Sequence, residues 1–184
     1  MTTTTNPPLE LDAPCVEPII LLSQLFQSYL NIPAERAFIY NQKWKIPDGP
    51  QMFQVISVIS DQPYGTTLSY ANNPVTGNLE ENCSPNCRSI FQYEIWSRGP
   101  EARLKRFHAL SALNSTQCQQ LCEKYGFAVA QIPLSFADLS YLDGTARMNR
   151  YAITFAVLTA TAFSRPVEWF VPSSKTEPAL IVNP

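Results

Sequence analysis

Five cysteines are the residues whose types and spacing come closest to a chemical site. Cys83 and Cys87 have three residues between them, as do Cys118 and Cys122, so four thiolates could in principle bind one zinc ion. Structural zinc sites generally use tighter two-residue spacings in turns, whereas Cys118 and Cys122 fall one helical turn apart, where buried cysteine acts as a small hydrophobic residue. We therefore expect no metal and no cofactor. A disulfide between Cys83 and Cys87 is an alternative in an oxidising environment, and Cys15 has no evident partner.

Other reactive side chains do not form a recognisable catalytic set. The single histidine, His108, would need a thiolate and a third, orienting group beside it for nucleophilic catalysis, and no local motif supplies them. We expect it to be partly buried on a helix, in a packing or hydrogen-bonding role. The pairs Asp138/Asp143 and Glu80/Glu81 are carboxylates of the kind that usually face water. The scattered glycines contain no phosphate-binding loop, so the sequence predicts no enzyme.

Charge gives no global signal for a nucleic-acid or membrane partner. The net charge of −2 comes from 13 basic and 15 acidic residues, so no overall field would draw the chain to polyanions. One local basic cluster stands out, formed by Arg98, Arg103, Lys105 and Arg106. A solvated helix face explains this cluster most simply, and a salt-bridging subunit interface is the alternative.

The elements that would position these residues are visible in the hydrophobic pattern. Residues 52–60, 89–97 and 150–163 are rich in β-branched and aromatic residues, as strands are, and residues 127–132 form a shorter run of this type. The run from 150 to 163 alternates large and small side chains, with Tyr151, Ile153, Phe155 and Val157 on one face. The sequence therefore predicts at least three long strands.

Three segments instead show helical spacing. Residues 19–30 carry a wide apolar stripe. In residues 100–113 the apolar positions fall three or four residues apart: Leu104, Phe107, Ala109, Leu110 and Leu113. Asn114, Ser115 and Thr116 offer capping side chains to a third helix, which Gly126 ends. The first segment is too short to span a bilayer and lacks the basic start of a secretion signal, so we expect it to be a core helix.

Length and composition favour a single domain with extended ends. The chain has 184 residues, 45% of them hydrophobic. We assign residues 1–18 to an extended Thr/Pro-rich arm, residues 19–171 to one domain and residues 172–184 to a C-terminal tail. Residues 62–88 form a long polar loop or hairpin around a turn at 73–78. The predicted fold class is α+β, an antiparallel β-sheet covered by helices, with a projecting β-hairpin and extended N- and C-terminal arms.

Several exposed positions are candidates for a subunit or partner interface. Long loops within compact domains tend to be functional, and exposed tyrosines suit an interface, although an inert insertion is the alternative for residues 62–88. The apolar end of the C-terminal tail needs either a neighbouring subunit or its own domain to pack against. The candidate interface residues are Tyr64, Tyr70, Arg98, Arg103, Arg106, Trp169, Phe170, Leu180 and Ile181.

The order of these elements resembles the neck or tail-terminator (head–tail joining) proteins of tailed bacteriophages. The N-terminal helix is followed by an extended segment at 36–45, by Ile46-Pro-Asp-Gly-Pro50 and by Phe53-Gln-Val-Ile-Ser-Val-Ile. After the polar hairpin come Phe91-Gln-Tyr-Glu-Ile-Trp-Ser-Arg-Gly99, the helix pair, and Met148-Asn-Arg-Tyr-Ala-Ile-Thr-Phe-Ala156. The resemblance covers about residues 19–170 and depends on pattern and order rather than on an invariant chemical signature.

This resemblance implies a structural virion protein of the phage neck, assembled in the host cytoplasm. Such proteins form a homo-hexameric ring that ends the tail tube, contacts the stopper or connector proteins at the head and leaves a channel through which the genome passes. It implies no catalytic residues and no membrane partner. Another head–tail completion, stopper or tube-associated protein is the nearest alternative. A small zinc-binding or hydrolytic protein is the rival from a different class.

Overall fold

The computed structural model describes residues 17–40, 45–143 and 146–167. Within these ranges the chain forms three helices and eight strands. The helices are α1 (Pro18–Leu30), α2 (Glu101–Leu113) and α3 (Thr116–Tyr125). The strands are β1 (Ala37–Ile39), β2 (Phe53–Asn72), β3 (Leu79–Ser97), β4 (Phe127–Ala130), β5 (Ala137–Asp138), β6 (Tyr141–Asp143), β7 (Ala146–Ala160) and β8 (Phe163–Pro166).

The strands form one mostly antiparallel sheet, which confirms the predicted α+β fold with helices on a sheet. The strand order is β1-β2-β3-β7-β4, and only β1 runs parallel to its neighbour. β5 and β6 also pair with β7, whereas β8 pairs with β3 further along that strand. β3 is therefore the central strand and pairs with segments that precede it and follow it in the chain.

The helix boundaries follow ordinary capping chemistry. Pro18 occupies the first turn of α1, where its missing N–H is not needed. The Ser115 Oγ accepts a hydrogen bond from the Cys118 N–H at 3.1 Å and so caps α3. Gly126 ends α3 with a left-handed φ of 68°, a conformation that costs glycine little. The predicted limits of all three helices are confirmed to within about two residues.

The main core lies between the three helices and one face of the sheet. The Phe26 ring stacks on the Tyr93 ring with centroids 3.8 Å apart. The buried Gln54 amide donates to the Ser23 carbonyl oxygen at 2.9 Å, and the Tyr93 hydroxyl donates to Gln54 Oε1 at 3.0 Å. Burial raises the pKa of Tyr93 well above its usual value, so this hydroxyl stays protonated. The predicted inner face of β7 is buried here: Tyr151, Ile153, Phe155 and Val157.

Helix α2 packs on the core mainly through small residues. Its small residues Ala102, Ala109 and Ala112 are buried, whereas Leu104 and Phe107 are 70% and 52% exposed. Small side chains let the helix backbone approach the sheet and α1 closely, and this turns the larger apolar residues outward. His108, which we expected to be partly buried, is also exposed on this helix. The expectation for His108 was wrong, because helical spacing alone does not say which residues of a helix face inward.

A second, smaller apolar cluster lies on the opposite face of the sheet. It contains Phe53, Val55, Trp96 and Met148, with Phe38 packed against it. The three helices cover the other face, so we call this surface the open sheet face. Among the described residues, no helix is both long and apolar enough to cross a membrane.

Candidate functional site

Half of β2 and half of β3 extend beyond the helices as a three-stranded structure, which we call the β-ribbon. It consists of residues 61–72 of β2, residues 79–88 of β3 and strand β8. Residues 61–72 are all exposed, and none of residues 79–88 is fully buried. Twelve residues of extended chain span about 40 Å. The segment predicted as a long loop or hairpin is thus a β-hairpin, and β8 adds a third strand that the sequence did not reveal.

The tip of the β-ribbon is a well-defined turn. Asn73 Oδ1 accepts hydrogen bonds from the backbone N–H groups of Val75 at 2.8 Å and Thr76 at 3.1 Å. Gly77 has a left-handed φ of 72°. The Asn73 amide and the Ser164 hydroxyl donate to Glu80, and these hydrogen bonds lower the pKa of that carboxyl group. The turn and the third strand are therefore tied together by side-chain contacts.

The two faces of the β-ribbon differ in polarity. Leu68, Cys83 and Phe163 lie side by side on one face. Tyr70 follows on the same face, next to the ion pair between Glu81 and Arg165. Leu68 and Tyr70 are 55% and 60% exposed. Cys83 has the same strand parity as Tyr93, so by the pleat this face continues the helix-covered face of the sheet past the end of the helix layer. The other face carries small or polar residues: Thr67, Ser69, Ala71, Glu80, Asn82, Ser84 and Ser164.

The outer edge of β2 is also open along most of its length. β1 pairs with residues 54–56 only, and from residue 57 to residue 72 this edge has no strand partner among the described residues. Irregularities in register at Val58/Ser60 and Pro63/Gly65 interrupt the first part of the edge, and Tyr64 is exposed at the second of them. Residues 66–72 pair regularly and contain no charge. An uncharged, regular edge of this kind can accept another strand.

On the open sheet face, a buried carboxylate is fully paired. Glu94 accepts two hydrogen bonds from Arg150, at 3.0 Å from Nε and 2.7 Å from Nη2. It also accepts one from Trp96 Nε1 at 2.8 Å and one from the Gln92 amide. The Arg150 guanidinium lies 4.4 Å from the Trp96 ring centroid. A satisfied network of this kind holds one geometry and leaves no reactive group free.

A shallow pocket of about 420 Å³ surrounds this network. Tyr40 and Ile59, which are 65% and 55% exposed, lie at its border with Ser57 and Trp96. The surface thus combines exposed apolar side chains with a fixed tryptophan and arginine, and aromatic residues and arginine are enriched in protein–protein interfaces.

The predicted basic cluster is partly confirmed as a spatial group. Arg103 and Arg106 line a polar pocket of about 380 Å³ together with Arg147, whereas Arg98 does not line it. Arg147 was missed because it lies far from α2 in the sequence and only the pairing of β7 brings it close. Asp138 also lines this pocket, and hydrogen bonds from Ser140, together with Arg147 and Arg106, lower its pKa.

The cysteines are placed in two separate elements. Cys83 and Cys87 lie on β3. Four residue-to-residue steps of extended chain place their Cα atoms about 13 Å apart, which is too far for a disulfide. Both thiols are free, as are those of Cys118 and Cys122 on α3. Burial, with the neighbouring Cys122, raises the pKa of Cys118 to about 12, so this thiol stays neutral. Cys15 lies outside the described residues.

Within the described ranges, no three His, Cys, Asp or Glu side chains lie close enough to hold a metal ion. The candidate interface residues Tyr64, Tyr70, Arg98 and Arg103 are exposed, and Arg106 is half-buried. The candidates Trp169, Phe170, Leu180 and Ile181, and nearly all of both predicted terminal segments, lie outside the described residues. The chain matches no family model, and no curated protein matches it. Its function must therefore be inferred from its surfaces.

Proposed function

We propose that this protein is a structural subunit of the neck of a tailed bacteriophage, where it forms a homo-hexameric ring that ends the tail tube. The ring joins the tube to the stopper or connector proteins and leaves a channel through which DNA passes. The single observation that carries the proposal is the β-ribbon, a long extension of the core sheet that exposes Leu68, Tyr70 and Phe163 on one face. Exposed apolar side chains grouped on one face are typical of a surface that binds another protein.

Two different surfaces of the molecule support a head-to-tail contact between neighbouring subunits. The apolar side of the β-ribbon and the open sheet face are different surfaces, so the β-ribbon of one subunit can pack on the open sheet face of the next. A contact between two different surfaces is heterologous, and it closes into a ring when the rotation between subunits divides a full turn. The free edge of β2 adds strand pairing as a second means of joining subunits.

The proposal is tested by the native mass of the purified protein, together with negative-stain images of the same sample. We expect a six-fold ring with a central hole. The double variant Leu68→Asp/Tyr70→Asp places two charges on the apolar face and should shift the native mass to that of a monomer. The matched control is Ser69→Asp/Ala71→Asp, which adds the same charges to the same strand on the opposite face. This control should keep the ring.

The receiving surface is tested separately. Ile59→Asp adds a charge beside the pocket on the open sheet face and should also yield monomers. A mixture of the two monomeric variants should not restore full rings. Every contact in a closed ring needs an intact β-ribbon on one subunit and an intact open sheet face on the next, and each variant lacks one of these surfaces. A wild-type protein that stays monomeric at high concentration, alone and with tail tubes, would overturn the proposal. So would a ring that survives both Leu68→Asp/Tyr70→Asp and Ile59→Asp.

The products of assembly distinguish a terminator from the nearest alternative. A terminator forms single rings and stops the growth of tail tubes when it is added to polymerising tube protein. A tube-associated protein instead forms stacked rings or filaments by itself. A stopper or completion protein forms rings that bind the head connector and leave tube length unchanged.

A further inference from the structure

We call the polar pocket lined by Arg103, Arg106 and Arg147 the arginine pocket. Two of its three guanidinium groups donate no hydrogen bond within the described residues. The Arg106 Nη1 donates to the Arg103 carbonyl oxygen at 2.9 Å, and its guanidinium lies 5.1 Å from the Tyr151 ring centroid, so this side chain is held in place. The side chains of Arg103 and Arg147 make no hydrogen bond to any residue that the structure describes. Asp138 supplies one negative charge against three positive charges. The pocket therefore has a surplus of positive charge in a chain whose net charge is negative.

The border of this arginine pocket is apolar. Phe107 packs edge-on against Phe136, with ring centroids 6.5 Å apart, and both Leu104 and Phe107 are exposed on the same helix. Arg106 also lies 4.7 Å from the Phe107 ring centroid. A nucleic-acid backbone would use the arginines and leave these apolar side chains in water. A peptide that carries both carboxylates and aliphatic side chains would use both.

One segment of this chain has that composition. Residues 1–16, outside the structure, contain Leu9-Glu-Leu-Asp12, in which aliphatic and acidic residues alternate. No lysine or arginine occurs before Arg36, so the segment has an uncompensated negative charge. By comparison, residues 168–184 carry two glutamates and one lysine. Charge complementarity thus favours the N-terminal segment as the occupant.

We propose that Glu10 and Asp12 bind the arginine pocket, and that the neighbouring leucines cover Leu104 and Phe107. Successive side chains of an extended segment point to opposite sides, so its acidic residues can contact the arginines while its leucines contact the apolar border of the pocket. Guanidinium groups bind carboxylates through paired, charge-assisted hydrogen bonds, which gives the contact its direction. The segment comes either from the same chain or from a neighbouring copy. This docking does not depend on the proposed phage function.

The test uses photo-crosslinking in the full-length protein. A benzoylphenylalanine in place of Leu11 should crosslink to peptides that contain Arg103–Phe107 or Arg147–Tyr151. The matched control places the same group at Leu180, in the apolar C-terminal segment, and should give few crosslinks to these peptides. Mixing isotopically light and heavy copies distinguishes the two sources of the segment, and either source supports the proposal.

Charge variants test the chemistry of the contact. Arg103→Gln/Arg147→Gln removes the two unused guanidinium groups and should lower the crosslink yield about tenfold, as expected for losing two charge-assisted contacts. Lys45→Gln/Lys124→Gln removes the same charge elsewhere and should leave the yield unchanged. Equal yields from both variants, or crosslinks from position 11 that map elsewhere, would overturn the proposal. Inorganic phosphate is the competing probe: if it shifts the NMR signals of these arginines while position 11 gives no crosslinks, the pocket serves a phosphate ligand instead.

Discussion

The Glu94–Arg150 pair provides a quantitative test of how this sheet is stabilised, because the β-ribbon contains an exposed counterpart. The Glu94 side chain is only 7% exposed and that of Arg150 is 29% exposed, with 2.7 Å between Nη2 and Oε1. In the counterpart, Arg165 is 64% exposed and Glu81 is 16% exposed, with 3.0 Å between Nη2 and Oε1. Both pairs join neighbouring strands of the same sheet, but water reaches the arginine of the second pair more freely, and Glu94 has further donors in Trp96 and Gln92.

Glu94→Gln should lower the free energy of unfolding by about 3 kcal/mol. Breaking a buried ion pair by removing one charge typically costs 3–5 kcal/mol, since the remaining charge is left without its partner. Water can reach part of Arg150, so we expect a value near the lower limit of that range. Glu81→Gln should cost less than about 1 kcal/mol, because exposed pairs are screened by solvent.

The measurement is urea unfolding followed by circular dichroism, at two protein concentrations so that association is not mistaken for stability. The slope of the free energy against urea should stay constant among the variants. Equal losses for Glu94→Gln and Glu81→Gln would refute the argument from burial. A further check is Glu94→Leu/Arg150→Met, which should be more stable than Glu94→Leu alone, since no unpaired charge remains.

Three further predictions concern the core and the helix ends. Tyr93→Phe removes the hydroxyl that donates to Gln54 Oε1, and the unsatisfied oxygen should cost about 1–3 kcal/mol in thermal unfolding; an unchanged midpoint would contradict this. The pKa of Cys118 lies at about 12, above its usual 9.0, so the stability that its neutral thiol contributes is complete below pH 9.0 and is lost as the pH rises towards 12. Cys118→Ala should therefore flatten the alkaline decline of stability in urea titrations; an unchanged slope would count against burial as the cause. Gly126→Ala should cost about 1 kcal/mol through backbone strain alone, since a Cβ there meets no atom within 4 Å, whereas Gly65→Ala, with equal space and no left-handed φ, should be nearly neutral.

The sequence predicted the elements well because their signals are local. Ser115 and Gly126 set the limits of α3 through contacts with neighbouring residues. The alternation around Ile153 is equally local, and it identifies the face of β7 that packs against the helices. The strand pairing of the β-ribbon was harder to predict. Pro63 and Gly65 interrupt the strand-like sequence, and no clear alternation of apolar and polar residues fixes the register between its strands.

The surfaces were predicted less well because they depend on contacts distant in sequence. Spacing indicated an apolar face on α2 but could not show that alanines, rather than Leu104 and Phe107, face the core. The arginine pocket needs Arg147 from β7, and the network on the open sheet face needs Arg150 beside Glu94. Only the register between β3 and β7 brings such residues together. The exposure of Tyr64 and Tyr70, a local property of a polar segment, was predicted correctly.

The central position of β3 has a consequence for synthesis on the ribosome. Its first partner, β2, emerges before it and can form a hairpin at once, because the turn at 73–78 is short. The other edge of β3 stays unpaired until β7 and β8 are synthesised, and these two strands follow α2 and α3 in the chain. During that interval Tyr93 and Ile95 lie beside an unpaired strand edge. Nascent chains at this stage should therefore be the most prone to aggregate and the most dependent on chaperones, and slower translation between α3 and β7 should lower the soluble yield.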